Sequence, residues 1–305
     1  MATQPRTQNK PTSGGKPSTA VAVKAGTALA QPIPEFMQGQ RGMGVENIGV
    51  GDIETPRIKL LQAVSPECEQ FDDAKPGHFW HTIAEKSLGK ELRIVPVYVD
   101  LRAILWRPRW DGGGILARAD DGIHWSPPSG EFEIHPSKDN KKHTVKWVLK
   151  PTVAESGLLD WGSHDPSDPN SQPAATRMYN VAVALPDHPD LGAAVLTLQR
   201  SGVRPARKFM GKLKLMPVPS FGAYFKMGSV SEDNKSGDSF LNYTFTADGL
   251  VQEPEEFYAY KELYEGFKSM GLQIKDLENA QEEQPDAAGA SEDKDAGGKG
   301  KRPSY

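Results

Sequence analysis

The chain has 305 residues, with 36 lysines and arginines against 40 aspartates and glutamates, and it contains one cysteine, 25 prolines and 30 glycines. No apolar run is long enough to span a membrane, and a lone cysteine excludes an intramolecular disulfide or a zinc site with two thiolates. A net charge of −4 argues against a uniformly basic coat for nucleic acid. Because no signal-peptide pattern is present, we expect a cytoplasmic protein without a membrane partner.

Both ends of the chain have compositions typical of disorder. Residues 1–42 carry five cations against one acid and almost no large apolar side chains, which predicts a disordered basic arm. Residues 273–305 are mainly acidic, with eight acids and two lysines between 275 and 298, and they close with GGKGKRPSY. This composition predicts a second disordered segment. The folded core is therefore expected within residues 43–272.

The patterns inside that core are mainly those of β-strands. Runs of branched and aromatic residues, bounded by turn residues, predict strands at Glu91–Trp106, Phe132–Ile134, Thr144–Leu149, Arg177–Leu185, Ala193–Arg200, Gly222–Val230 and Phe240–Thr246. Pro96 marks an edge or a bulge in the longest of them. Two segments, Val203–Leu215 and Pro254–Met270, have helical periodicity with proline near the start. Together these patterns predict a mainly β fold, an OB-like β-barrel with α-helical additions.

Known catalytic motifs are absent from the sequence. It contains no phosphate-binding loop, no nucleophile elbow and no dinucleotide fingerprint after a strand. His78 and His81 are more typical of surface histidines at a strand entry than of a metal site. Aspartates that could hold Mg²⁺ stand beside glycine, proline or serine, where turn formation is their usual role, although a dispersed carboxylate site stays open. We therefore expect no enzyme, no catalytic residue, no metal and no cofactor.

A basic segment between residues 199 and 227 carries the strongest functional signal. It contains no acid and seven cations, namely Arg200, Arg204, Arg207, Lys208, Lys212, Lys214 and Lys226. Four rings, Phe209, Phe221, Tyr224 and Phe225, interleave with these cations. Cations neutralise phosphates and rings stack on bases, so the pattern is typical of single-stranded nucleic-acid binding. The alternative is a basic helix face exposed to solvent, with the aromatic rings buried in the core beneath it.

A second segment combines cations with indole rings. Arg107 and Arg109 stand between Trp106 and Trp110 at the end of the longest predicted strand. The alternative for Trp106 is burial inside a barrel. The sequence thus nominates as nucleic-acid-binding residues Trp106, Arg107, Arg109, Trp110, Arg200, Arg204, Arg207, Lys208, Lys212, Lys214, Tyr224, Phe225 and Lys226.

Several stretches resemble proteins from the DNA-metabolism regions of tailed-phage genomes. They include ETPRIKLLQAVSPE at 54–67, LGKELRIVPVYVDLRAILWRPR at 88–109 and RPARKFMGKLKLMPVPSFGAYFKM at 204–227. The layout is similar to that of phage single-stranded DNA-binding proteins, which implies an OB-type barrel and a strand-protecting role in DNA replication or recombination. That family's tails usually end in acids and an aromatic residue, whereas this tail ends in GGKGKRPSY.

The leading hypothesis is a non-catalytic, sequence-independent single-stranded DNA-binding protein. One alternative is a single-strand annealing protein or a metal-dependent nuclease, and another is a phage structural or interaction protein. The acidic tail can recruit replication proteins or occupy the basic groove, and a solubility tail fits its composition equally well. The sequence leaves the oligomeric state open.

Overall fold

The computed structural model describes residues 43–44, 54–140, 142–233 and 237–272. The predicted disordered segments, residues 1–42 and 273–305, lie outside this part of the chain. Strands β1 to β11 are, in order, Arg57–Leu60, Phe79–His81, Lys86–Ser87, Glu91–Trp106, Ile115–Ala119, Gly130–Ile134, Val145–Leu149, Ala175–Ala184, Ala193–Gln199, Ala223–Asp233 and Ser239–Leu250. Helices α1 to α4 are Glu67–Gln70, Val153–Ser156, Val203–Leu215 and Pro254–Met270.

The main sheet has nine strands and curls into a half-barrel, which confirms the prediction of a mainly β fold with a few helices. Eight of its strands pair in the order β11-β10-β4-β8-β9-β1-β2-β3, and β5 pairs with the far end of β4. All pairs are antiparallel except β1 with β9. The predicted bulge is present, because the register of β4 against β8 shifts between Pro96 and Tyr98. Strands β6 and β7 form a separate pair.

Helix α3 covers one face of the sheet, called here the α3 face. Ala206 and Phe209 are fully buried in a core built from β1, β2, β4 and β8 to β11. The Phe209 ring stacks on Phe245 at 4.2 Å and meets Phe225 edge to face at 5.0 Å. Paired aromatic rings of this kind add stabilisation beyond the apolar area that they bury. The apolar stripe of α3 therefore fixes the helix on the sheet.

Helix α4 covers the opposite face, called here the α4 face. Tyr260 and its neighbours on α4 pack against Val95 and Val97 of β4, together with Phe221 and Tyr224. Val95 and Val97 share a face because they are two residues apart, and the bulge turns Tyr98 to this face as well, where it packs with Leu272 and Phe267. The predicted docking of this helix on a sheet is confirmed.

The outer edge of β11 is capped by side chains. The Gln62 amide accepts a hydrogen bond from the Leu241 N–H and donates one to the Leu241 carbonyl, both at 2.9 Å. Asn242 Oδ1 accepts from the Tyr243 N–H at 2.9 Å, and the Lys212 ammonium donates to the Phe245 carbonyl. An uncapped strand edge is a template for pairing with another chain. These three side chains therefore replace a neighbouring strand.

Residues 107–174, called here the insertion, run between β4 and β8 and have a core of their own. Trp125 and Trp147 are buried there with Ile134 of β6 and with the end of β4. The Trp147 indole donates to the His164 carbonyl at 3.1 Å, and His143 pairs with Asp165 at 3.1 Å. These contacts tie the β6-β7 hairpin to the loop that leads into β8. Across the described ranges, no helix has the length and hydropathy needed to cross a bilayer.

Candidate nucleic-acid interface

The exposed side of α3 carries three cations. Ala206 and Phe209 point into the core, and helical geometry turns Arg204, Arg207 and Lys208 to the opposite side, where all three are exposed. None of the three forms an ion pair with another described residue. We call these three residues the basic face of α3. An unpaired cation at a surface can exchange its counterion for a phosphate without breaking a protein contact.

The other predicted cations of this segment differ in whether their charged groups already contact other protein atoms. The Lys212 ammonium is held by the Phe245 carbonyl, and Lys226 lies 3.4 Å from Glu91 in an exposed pair. Lys214 is exposed near the end of α3, and Arg200 is exposed just before the helix. Arg200 has a φ of 52°, a left-handed conformation that non-glycine residues rarely adopt. The assignment of Lys212 to phosphate needs correction, because its ammonium caps the edge of β11.

The expected stacking rings Tyr224 and Phe225 are both buried, at 7% and 0% exposure, and that part of the site prediction is wrong. Neighbouring residues of a strand point to opposite faces, and here each face is covered by a helix. Phe225 therefore packs under Phe209 of α3, while the Tyr224 hydroxyl donates to Glu256 of α4. Neither ring face is free for a base.

The Tyr224 side chain belongs to a polar cluster under α4. Glu256 accepts hydrogen bonds from the hydroxyls of both Tyr224 and Tyr260. The Arg93 guanidinium lies 3.8 Å from the centre of the Tyr224 ring and pairs with Asp248 at 3.1 Å. Burial, together with the bond to Glu256, raises the pKa of Tyr224 to about 12. The cluster anchors α4 to the sheet.

The Trp106–Trp110 segment is more engaged than its sequence indicates. The Arg107 guanidinium pairs with Asp111 at 2.9 Å, and Trp106 is half-buried. The Trp110 indole donates to the His135 carbonyl at 2.8 Å, yet the ring stays 42% exposed. Arg109 is exposed. Of the four predicted residues in this segment, Arg109 and Trp110 keep a free surface, whereas Arg107 is committed to the insertion.

The basic face of α3 and the Trp106 side chain lie on different faces of the sheet. Tyr98 packs with Leu272 on the α4 face, and Arg102 donates to the Leu272 carbonyl. Alternation along the strand places Trp106 on that same face, opposite to α3. The sequence thus predicted two basic, ring-containing segments, and the exposed cations of α3 do not share a face of the sheet with Trp106.

The described residues show no arrangement suited to a metal ion, since no three acidic, histidine or cysteine side chains converge there. His81, expected at the surface, is instead 2% exposed at the end of β2. Two carboxylate–imidazole pairs, Asp121 with His124 at 2.7 Å and Asp165 with His143, join loop segments of the insertion. Backbone and side-chain hydrogen bonds from His124 lower the pKa of Asp121 to about 2.

Two residues of α3 were missed by the sequence reasoning. Gly211 and Leu215 continue the exposed side of the helix, and Leu215 is 87% exposed. The spacing of 204, 208, 211 and 215 could have revealed them, because residues four, seven and eleven apart share one helix face. A glycine and a leucine are neither cations nor rings, so they carry no nucleic-acid-binding signal of that kind in the sequence.

Comparison with known proteins identifies one relationship. A family model described as Pam3 phage gp34-like protein matches residues 24–273, which is more than three quarters of the chain. No curated protein matches the sequence. No solved structure matches it either.

Proposed function

The chain belongs to the Pam3 phage gp34-like protein family, and on that premise we propose that this phage protein binds single-stranded DNA, without catalysis and without sequence preference. The DNA backbone lies along the basic face of α3. A role in protecting strands during phage DNA replication or recombination follows from such binding. Trp110 and Arg109 in the insertion provide a second, separate contact for long strands.

The observation that carries the proposal is the state of Arg204, Arg207 and Lys208. They lie within two turns of one helix, they are exposed, and the described residues offer them no carboxylate partner. Phosphate neutralisation by such side chains releases counterions and supplies most of the affinity in sequence-independent binding. With the rings of the sheet buried, phosphate contact is the main source of affinity, and base identity has little influence.

The structure also supports an estimate of salt dependence. Each neutralised phosphate on a single strand contributes about −0.7 to the slope of log K against log salt. The basic face together with Lys214 offers four contacts, so the slope is expected near −3, by the same rule.

Charge reversal on α3 tests the assignment. Arg204→Glu together with Arg207→Glu is expected to abolish binding of a long oligothymidine in a gel-shift titration, because two attractions become repulsions. Both side chains are exposed, so the circular dichroism spectrum and the melting temperature should stay close to wild type. The matched control is Lys75→Glu with Lys90→Glu, which makes the same charge change at two exposed sites away from α3.

The double variant on α3 and its control divide the outcomes. If the α3 variant binds oligothymidine with wild-type affinity, the wrong surface has been assigned. If the α3 variant and the control lose affinity equally, the loss comes from the change in net charge and not from α3. Incubation of the wild-type protein with Mg²⁺ and a labelled strand separates passive binding from the alternatives, since a nuclease shortens the strand and an annealing protein pairs it with its complement.

A further inference from the structure

The most exposed line of α3 has an unusual composition. Arg204, Lys208, Gly211 and Leu215 are spaced by four, three and four residues, so they form one line along the helix, called here the outer stripe. Along the helix, the outer stripe presents two cations, then a position without a side chain, and then an apolar residue. At a rise of ~1.5 Å per residue, Lys208 and Leu215 lie ~10 Å apart along the axis.

Gly211 has no structural reason to be glycine. A Cβ atom built at this position meets no atom of the described residues within 4 Å, so alanine would fit. Its backbone is helical, and a glycine inside a helix costs about 1 kcal/mol relative to alanine. The fold therefore loses stability at Gly211 and gains no packing in return. A close approach from outside the molecule would explain a position without a side chain.

Leu215 is the apolar counterpart of this gap. It is the last residue of α3 and is 87% exposed, while the residue after it, Met216, packs against the core. A single exposed leucine is common on protein surfaces. This one, however, ends the same stripe that carries two unpaired cations, which sets it apart from an isolated apolar residue such as Val64.

We propose that the outer stripe is a seat for one segment of single-stranded nucleic acid. The proposal rests on the proposed function and adds the way in which α3 selects its substrate. Phosphates bind at Arg204 and Lys208, the sugar–phosphate backbone passes closely over Gly211, and the flat face of a base lies on Leu215. Base faces are apolar and are exposed in a single strand, whereas a duplex stacks them inside, so Leu215 favours the single strand.

Substitution of Gly211 separates folding from binding, because the two should change in opposite directions. Gly211→Ala is expected to raise the melting temperature, since it improves helix propensity in open space. The same methyl group should weaken oligothymidine binding about fivefold, equivalent to ~1 kcal/mol, because it holds the backbone away from the helix. A variant that melts higher and binds as tightly as wild type, or more tightly, would overturn the proposal.

Leu215→Ala tests the base contact, with Val64→Ala as its control at an equally exposed apolar site, 87% against 89%. Leu215→Ala should weaken single-strand binding about fivefold and change duplex binding by less than about twofold, whereas the control should change neither. Equal loss for both DNA forms, or no loss, would overturn the base contact. Absence of any DNA binding by the wild-type protein would instead remove the proposed function itself.

Discussion

The imidazole of His81 is almost completely buried, and its two nitrogens have different surroundings. Nδ1 accepts a hydrogen bond from the Ala84 N–H at 3.0 Å, while Nε2 has no hydrogen-bond partner within the described ranges. Because Nδ1 accepts, the ring is neutral with its proton on Nε2. Burial lowers the pKa of His81 below its usual range, and the neighbouring His188 acts in the same direction against Asp190.

A lowered pKa in the folded state makes stability depend on pH. Above the unfolded-state pKa of about 6.5 the ring is neutral in both states, and below it the unfolded chain binds the proton first. The free energy of unfolding should therefore fall from pH 7 to pH 5 in urea titrations. His81→Asn keeps an acceptor near Ala84 and removes the titration, so its fall should be smaller. An identical pH dependence in both proteins would contradict this account.

At the scale of elements, the edge of β11 depends on Gln62. The two hydrogen bonds to Leu241 join the loop after β1 to β11, where no pairing among the described strands closes the half-barrel. Gln62→Ala should lower the free energy of unfolding by about 1–3 kcal/mol, because it leaves a backbone donor and acceptor without partners. Denaturant titration measures this loss, and Gln70→Ala, at an exposed site on α1, is the control.

The freed edge gives the same variant a second readout. An unpaired N–H and carbonyl on a long edge strand favour pairing between chains. Sedimentation velocity should therefore show self-association for Gln62→Ala that Gln70→Ala lacks. A variant that remains as stable and as dispersed as wild type would mean that the amide contacts contribute nothing to closure.

The anchor of α4 is tested by the ionisation of its tyrosines. Burial and the bond to Glu256 raise the pKa of Tyr224 to about 12, and they raise the pKa of Tyr260 as well. Raised folded-state pKa values stabilise the protein below the unfolded value of about 10, and this contribution is lost as the pH rises through the folded value. Glu256→Gln removes a negative charge and one acceptor.

In an ultraviolet titration of tyrosinate, the late phase that comes from Tyr224 and Tyr260 should therefore move to lower pH in Glu256→Gln than in wild type, and alkaline unfolding should follow it. Glu255→Gln changes the same charge one residue away, at an exposed site on α4, and should titrate as wild type does. Coincident titration curves for all three proteins would show that Glu256 does not hold the tyrosines.

How far the sequence could predict this fold is clearest on β10. Residue patterns predicted both long helices, the 16-residue strand β4 and strands within β10 and β11, because period and turn residues are local properties. The burial of Tyr224 and Phe225 is not local. It arises because α3 and α4, from before and after β10 in the chain, cover both faces of the sheet. Short strands such as β2 and β3 gain their structure from pairing and gave little signal.

The same reasoning explains which site residues the sequence could identify. Lysine and arginine side chains stay at the surface because burial of an unpaired cation is costly. The basic face of α3 was therefore predictable from composition and helical spacing. Lys212 donates to the Phe245 carbonyl 33 residues away, and Arg107 donates to the Glu133 carbonyl 26 residues away. Only the tertiary structure shows which cations already have partners.

At the scale of the whole molecule, the fold separates two candidate contact surfaces. The basic face of α3 lies on one face of the sheet, while Trp110 and Arg109 lie on the insertion beyond the far end of β4. A short oligonucleotide on α3 is therefore a different ligand from a long strand that reaches both surfaces.

The positions of the tryptophans give this separation a practical use. Trp80 is buried in β2, and the other five of the six lie between residues 106 and 161, so α3 carries no indole. Tryptophan fluorescence should therefore stay unchanged when a short dye-labelled oligonucleotide binds to α3. The fluorescence anisotropy of the dye should nevertheless rise, because binding slows its tumbling. Quenching that sets in only as oligomers lengthen would give the contour distance between the two surfaces in nucleotides.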